Sequence, residues 1–217
     1  MSEESEAVSV ALMDYVRAHA RAEDPFLSSL RAAAHEAGLP RISIAPEQGR
    51  FMQLVLGLAR AREVVEVGTL GGYSAICMAM ALPAEGRVRT IEVEPKHADF
   101  AEAWVARSSV PGKVTVHRGP GREVLPGFAD RSADVAFLDA DKVNYRHYLD
   151  QCLRILRPGG LLMVDNAFAF GELLDPTSDD ASVVAIRAFN ERVHAEPRLE
   201  GMIVPYGDGL WMARFLG

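Results

Sequence analysis

Val64-Val65-Glu66-Val67-Gly68-Thr69-Leu70-Gly71-Gly72-Tyr73-Ser74 is a short apolar run, a glycine-rich bend and the start of a second apolar stretch. The run has the length and β-branched character of a strand buried on both faces. Gly68 ends it, and residues 74–82 read as a helix stopped by Pro83. A strand that enters a helix through so short a bend is half of a strand–helix–strand unit, and the chain beyond it repeats the pattern. Residues 88–92 form a second strand with a helix at 95–107. Residues 114–116 form a third, with 122–128 helical behind it. Residues 135–138 form a fourth, backed by a helix at 145–156, and 161–164 a fifth. This alternation predicts right-handed crossovers and a parallel sheet covered on both faces, a doubly wound α/β fold.

The ends differ from the middle. After residue 164 come a helix at 183–194, a strand at 199–204, a Gly207-Asp208-Gly209 turn and a strand at 210–215. So short a link makes the last two strands antiparallel. Before residue 62 the pattern is helical: 8–21, 26–37 and 46–61. Pro46 suits a first helical turn, with Phe51, Leu54, Val55 and Leu58 as the apolar face. One domain is expected, a helical cap over residues 1–61 on a core of 62–217.

A chain of 217 residues buries an ample core, and 49% hydrophobic with 24% charged residues is ordinary globular composition. Only the acidic start, Ser2-Glu3-Glu4-Ser5-Glu6, reads as disordered. A net charge of −7 weighs against a broad nucleic-acid surface, which needs clustered Lys and Arg. Cys77 and Cys152 sit among apolar neighbours and read as small buried hydrophobes, neither a disulfide framework nor a zinc site. No apolar stretch approaches a membrane span and no basic leader is evident, so a cytoplasmic protein is expected.

Gly68, Glu92, Gly119, Asp139 and Asp165 each stand at or just past the C-terminal end of a strand, the edge where open α/β sheets bind ligands. The bend after the first strand lacks the dinucleotide fingerprint, because Leu70 and Tyr73 stand where GxGxxG needs glycine. It does offer close backbone approach and a helix N-terminus at Ser74, suited to a carboxylate such as that of S-adenosylmethionine. Glu66 can pair with a ligand ammonium, and Glu92 can accept from both ribose hydroxyls.

Asp139-Ala140-Asp141-Lys142 follows the fourth strand and Asp165-Asn166 the fifth. Adjacent strands lie about 4.8 Å apart, so Asp139, Asp165 and Asn166 can converge on one divalent cation. Two carboxylates and an amide oxygen suit magnesium, with positions left over for substrate or water. Such an ion would make a phenol easier to ionise, and Lys142, lowered in pKa near a cation, would take the proton. The oxygen would then attack the sulfonium methyl in line.

These motifs, with Asn144-Tyr145 and Gly207-Asp208-Gly209-Leu210, resemble the class I, cation-dependent O-methyltransferases, which include the catechol and caffeoyl-CoA enzymes. The resemblance runs from about Ile42 onward. It implies a Rossmann-like, seven-stranded, mostly parallel sheet with an antiparallel seventh strand. It implies Asp139, Asp165 and Asn166 as ligands of Mg2+ (or Mn2+ or Ca2+), and Lys142, with Asp139, as the catalytic pair. It also implies S-adenosylmethionine contacts at Ile44, Glu66, Gly68, Thr69, Ser74, Glu92, Gly121, Asp139 and Asp141, and commonly a homodimer.

Two departures bear on the acceptor. Many relatives read Asp-Asn-x-Leu-Trp after the fifth strand, where this chain has Ala169 in place of the Trp, so an aromatic wall is missing. The catechol enzyme has Trp where Asp141 stands, so the pocket is expected to be wider or more polar there. The expected acceptor is a small aromatic vicinal diol. The alternative is a hydroxylated tRNA base, against which the acidic balance counts. A nicotinamide oxidoreductase is disfavoured by the failed fingerprint, and a non-catalytic binding module by the intact metal set.

Overall fold

The computed structural model describes residues 9–217. The helix expected from residue 8 appears as α1 (Val10–His19), and its expected first residue, Val8, lies outside the described residues together with the acidic start. Ser9 caps it by accepting from the backbone N–H of Leu12, and none of its residues is buried. Next come α2 (Pro25–Glu36), capped by Asp24, and α3 (Pro46–Leu58). Proline at the first position of each costs no hydrogen bond, because that N–H has no partner within a helix.

The expected apolar face of α3 is corrected. Leu54 and Leu58 are 61% and 85% exposed, whereas Gly49, Met52 and Leu56 are buried. The helix turns its smallest residue inward. A Cβ on Gly49 would stand 3.0 Å from Cys77 Sγ of the next helix, so close packing decides the face. The helix stops at Leu58 rather than 61 because Arg60 adopts a left-handed conformation and the Ala61 N–H returns to the Leu56 carbonyl.

The core alternates as expected: β1 (Glu63–Val67), α4 (Tyr73–Ala81), β2 (Arg87–Glu92), α5 (Pro95–Arg107), β3 (Val114–Arg118), α6 (Gly121–Val124), β4 (Ala133–Leu138), α7 (Tyr145–Ile155), β5 (Leu156–Val164), α8 (Ala181–His194), β6 (Leu199–Val204) and β7 (Leu210–Phe215). The single helix expected at 122–128 is instead the short α6 followed by a 3-10 turn, Leu125–Gly127. Pro126 has no N–H to continue an α-helix. The fifth strand begins at Leu156, not 161. The Arg157-Pro158-Gly159-Gly160 stretch, which reads as a loop, belongs to it, and the register against β4 shifts between Ala133 and Val135.

The seven strands are ordered β3-β2-β1-β4-β5-β7-β6. The first five are parallel, and β7 runs antiparallel to both β5 and β6. The hairpin was expected; its placement, with the later strand inside and β6 at the edge, was not. The order reverses between β1 and its neighbours β2 and β4, the switch point at which open α/β sheets hold ligands. One apolar cluster lies between the sheet and α2, α3 and α4, and a second between the sheet and α7 and α8. Cys77 and Cys152 are buried thiols, each pushed up to about 12 by burial, in keeping with the inert role expected of them. Among the described residues no helix is long and apolar enough to cross a membrane.

Candidate active site

Above the C-terminal ends of β1, β2, β4 and β5 lies a cavity of about 870 Å³. That is the upper part of the usual range of about 300–1,000 Å³ for small-molecule sites. Ile44, Gly68, Thr69, Ser74, Glu92, Gly121, Asp139, Asp141, Lys142, Asp165 and Asn166 all line it, so every expected site residue but one is on its wall.

The exception is Glu66. Its side chain is fully buried, with one oxygen accepting from the Ser74 hydroxyl and the other, Oε2, without a hydrogen-bond partner among the described residues. Burial, reinforced by the charges of Asp139 and Glu92, pushes its carboxyl from 4.5 to about 8. Glu66 is thus biased towards its neutral form and bonded to Ser74. An acid whose folded pKa exceeds its unfolded one adds stability that is complete below about pH 4.5 and lost as the pH climbs towards 8. Glu66→Gln keeps the shape and stays neutral. It is expected to gain stability over the parent chain progressively from pH 5 to pH 8.5, on the order of a few kcal/mol at most. Urea denaturation of both proteins at the two pH values measures this, and a difference independent of pH would contradict the neutral carboxyl.

At the β1–β2 side the backbone does most of the work. Gly68 has φ +103, and a Cβ there would lie 1.9 Å from the Asp139 carbonyl oxygen. Glu92 is fixed from both ends, one oxygen accepting from Leu70 N–H at 2.7 Å and the other from Glu94 N–H at 2.8 Å. Each oxygen keeps a lone pair for a ligand hydroxyl. Thr69 and Thr90 share a buried hydroxyl–hydroxyl bond of 2.6 Å. Gly121 opens α6 where a side chain would strike Tyr148 and Val67 at 2.9 Å, so backbone forms that wall.

At the β4–β5 side, Leu138 pairs with Val164, so Asp139 and Asp165 leave neighbouring strands at one level. Asp165 is buried, and burial together with the charge of Asp139 raises its carboxyl to about 6. The Gln48 amide donates to Asp165 at 2.8 Å. Asn166 donates its amide N–H to Asp208 at 3.2 Å, which leaves its carbonyl oxygen to accept or ligate. Two close carboxylates and an amide oxygen are the donor set a hard divalent cation takes, and their mutual repulsion is what such an ion relieves. Among the described residues no three His, Cys, Asp or Glu side chains gather into a metal-binding group.

Lys142 begins a 3-10 turn, Lys142–Asn144. Its Nζ lies 3.2 Å from Asp139 Oδ1 and 2.7 Å from the hydroxyl of Tyr145, leaving the third donor position for the cavity. Asp141 is held by the Tyr148 hydroxyl at 2.6 Å and by the Asn144 amide.

Several supporting residues were not foreseen. Gln48 gave no motif signal. Tyr145 and Asp208 stood within quoted motifs without a role. Phe170 lines the cavity at 57% exposure, with φ 60 and ψ 27, while Ala169 is fully buried. An aromatic ring thus reaches the rim one residue later than the missing Trp. Behind it, Arg187 donates to the carbonyls of Glu172, Leu173, Asp175 and Ser178 and braces that loop.

Comparison with known proteins agrees with this geometry. A family described as O-methyltransferase matches residues 17–216. A catechol O-methyltransferase of Niastella koreensis is 38% identical over 185 residues, 84% of each chain. Another, of Mycobacterium tuberculosis, is 39% identical over 182 residues, 84% of this chain and 82% of that protein. The crystal structure of an O-methyltransferase from Bacillus cereus in complex with SAH superposes with a TM-score of 0.87 at 35% identity. That alignment covers 94% of this chain and 97% of the other. With nearly its whole length matched and the site residues at the sheet's ligand edge, the chain belongs to the O-methyltransferase family.

Proposed function

We propose that the protein transfers the methyl group of S-adenosylmethionine to one hydroxyl of a small aromatic vicinal diol, with a divalent cation at Asp139, Asp165 and Asn166. The observation that carries this reading is the juxtaposition, in one cavity, of a nucleoside-type half and a metal-and-base half. Gly68, Glu92 and Gly121 line the first; Asp139, Asp165, Asn166 and Lys142 line the second. The SAH-bound Bacillus relative supports the donor, and the catechol-methylating relatives support the acceptor class.

In this reading Glu92 binds the ribose hydroxyls, and the backbone at Gly68 and Gly121 admits the cofactor closely. Ser74 and the start of α4 meet its carboxylate. A bound divalent cation supplies positive charge that favours ionisation of the acceptor hydroxyl. Lys142 accepts the hydroxyl proton and later releases it to solvent. As the acceptor oxygen forms its bond to the methyl carbon, the carbon–sulfur bond breaks and its electron pair neutralises the sulfonium. Asp139 and Tyr145 orient Lys142 for that step, and Phe170 flanks the acceptor ring.

The test is a panel of catechols and monophenols with S-adenosylmethionine and magnesium, read by mass spectrometry for a gain of one methyl group. Methylation of vicinal diols, abolished by excess chelator and restored by magnesium or manganese, is expected. Full turnover in excess chelator would remove the metal, and no methylation of any phenol would remove the acceptor class.

A further inference from the structure

The turn between β6 and β7 carries a side chain that touches both halves of the acceptor region. Asp208 Oδ2 accepts from the Asn166 amide nitrogen at 3.2 Å and from the Phe170 backbone N–H at 2.8 Å. The same turn pairs by backbone with the segment that links the two, through Ala167 N–H to the Gly209 carbonyl and Phe168 N–H to the Asp208 carbonyl, both at 2.8 Å. Asn166, Ala169 and Phe170 all have positive φ values, 65, 53 and 60. Non-glycine residues held in that region persist only where surrounding bonds over-determine them.

Asp208 itself has little room to drift. A Cβ at Gly207 would lie 2.4 Å from Gln48 Oε1, and one at Gly209 would lie 2.8 Å from the Phe168 ring. The turn is thus wedged between the residue that bonds Asp165 and the residue that precedes Ala169. Asp208 is half-buried, lines the cavity, and makes no ion pair among the described residues.

We infer that Asp208 is a positioning residue: its carboxylate fixes the Asn166 amide with the oxygen towards the cation and, through the same atom, holds Phe170 at the acceptor rim. This rests on the metal reading proposed above and adds to it that cation affinity and the acceptor wall share one anchor. An amide whose nitrogen is not engaged can turn over and present N–H groups to the ion, which repels them. Groups that orient metal ligands in this way typically change affinity by about 10–100-fold when removed.

The experiment is calorimetric titration of MnCl2, and separately of SAH, into the parent chain, Asp208→Ala and Asp208→Asn. Asp208→Asn retains an oxygen that can accept from both donors. The expected result is Mn2+ binding weakened about 10-fold or more by Asp208→Ala, SAH binding within two-fold of the parent, and most of the Mn2+ affinity restored in Asp208→Asn. Amide hydrogen exchange at Phe170 should quicken in Asp208→Ala and recover in Asp208→Asn. Mn2+ affinity unchanged in Asp208→Ala, or Mn2+ and SAH weakened together by the same factor, would overturn the positioning role. A parent chain that binds SAH but no Mn2+ would overturn the metal reading and this inference with it. A parent chain that binds Mn2+ while both variants lose it equally would overturn only the assignment to the shared oxygen.

Discussion

Lys142→Met is expected to lower kcat by about 10²–10⁴-fold, the range in which a positioned general base contributes, while SAH affinity stays close to that of the parent chain. Methionine matches the lysine side chain as far as Cε and removes the ammonium, which lies 4.8 Å from the Tyr145 ring centroid. It removes the group that bonds Asp139 Oδ1 and the Tyr145 hydroxyl. Tyr145 is fully buried, and burial with nearby carboxylate charge holds its hydroxyl protonated, well above the ordinary range, so it cannot replace the lysine as base. Lys142→Arg separates two roles. It preserves charge but does not give up a proton in the accessible range. A charge-only function would therefore be rescued and a base would not. Single-turnover rates at saturating S-adenosylmethionine would decide, and Met and parent rates within three-fold would dismiss Lys142 as the base.

Gly68→Ala should be among the most damaging single-methyl additions to this chain. The new Cβ would stand 1.9 Å from the Asp139 carbonyl oxygen and 2.7 Å from its carbonyl carbon, and both are backbone atoms of the neighbouring strand end. Side-chain rearrangement cannot relieve such a contact, so β1 and β4 must separate at the level of the site. The positive φ adds strain of about 1–3 kcal/mol. A loss of roughly 3–5 kcal/mol is expected, which for a domain of this size lowers Tm by about 6–20 °C. Gly57→Ala is the counterpart. Gly57 lies in α3 with no atom within 4 Å of the added carbon, so alanine should stabilise the helix by about 0.5–1 kcal/mol. Thermal melts of both variants test the pair, and equal melting points would show that close approach at Gly68 does not limit the fold.

The alternation of strand and helix was legible because β1, β4 and the end of β5 are short runs rich in apolar residues, each closed by a residue foreign to such a run: Gly68, Asp139 and Asp165. That same punctuation put all but one of the expected site residues on one wall. What escaped was whatever depends on a partner distant in sequence. Gln48 looks like any helical glutamine until α3 is docked, when its amide meets Asp165 across 117 positions. Glu66 looks like any strand glutamate until α4 is packed, when its carboxyl is fully buried against the Ser74 hydroxyl. The buried face of α3 was misread because hydrophobicity pointed to Leu54 and Leu58, while packing against α4 favoured the glycine. The long start of β5 was hidden by Pro158-Gly159-Gly160, residues that ordinarily leave a sheet.

The placement of β7 between β5 and β6 has a consequence for the order of assembly. β5 finds its second neighbour only in residues 210–215, because Val164 pairs with Trp211 and Leu161 with Arg214. Until those residues arrive, β5 is an open edge, the kind of surface that invites pairing with another chain. The turn that anchors Asn166 and Phe170 forms in the same closing event. A chain without residues 210–215 would therefore leave one flank of β5 unpaired and the turn that bonds Asn166 and Phe170 without its second strand.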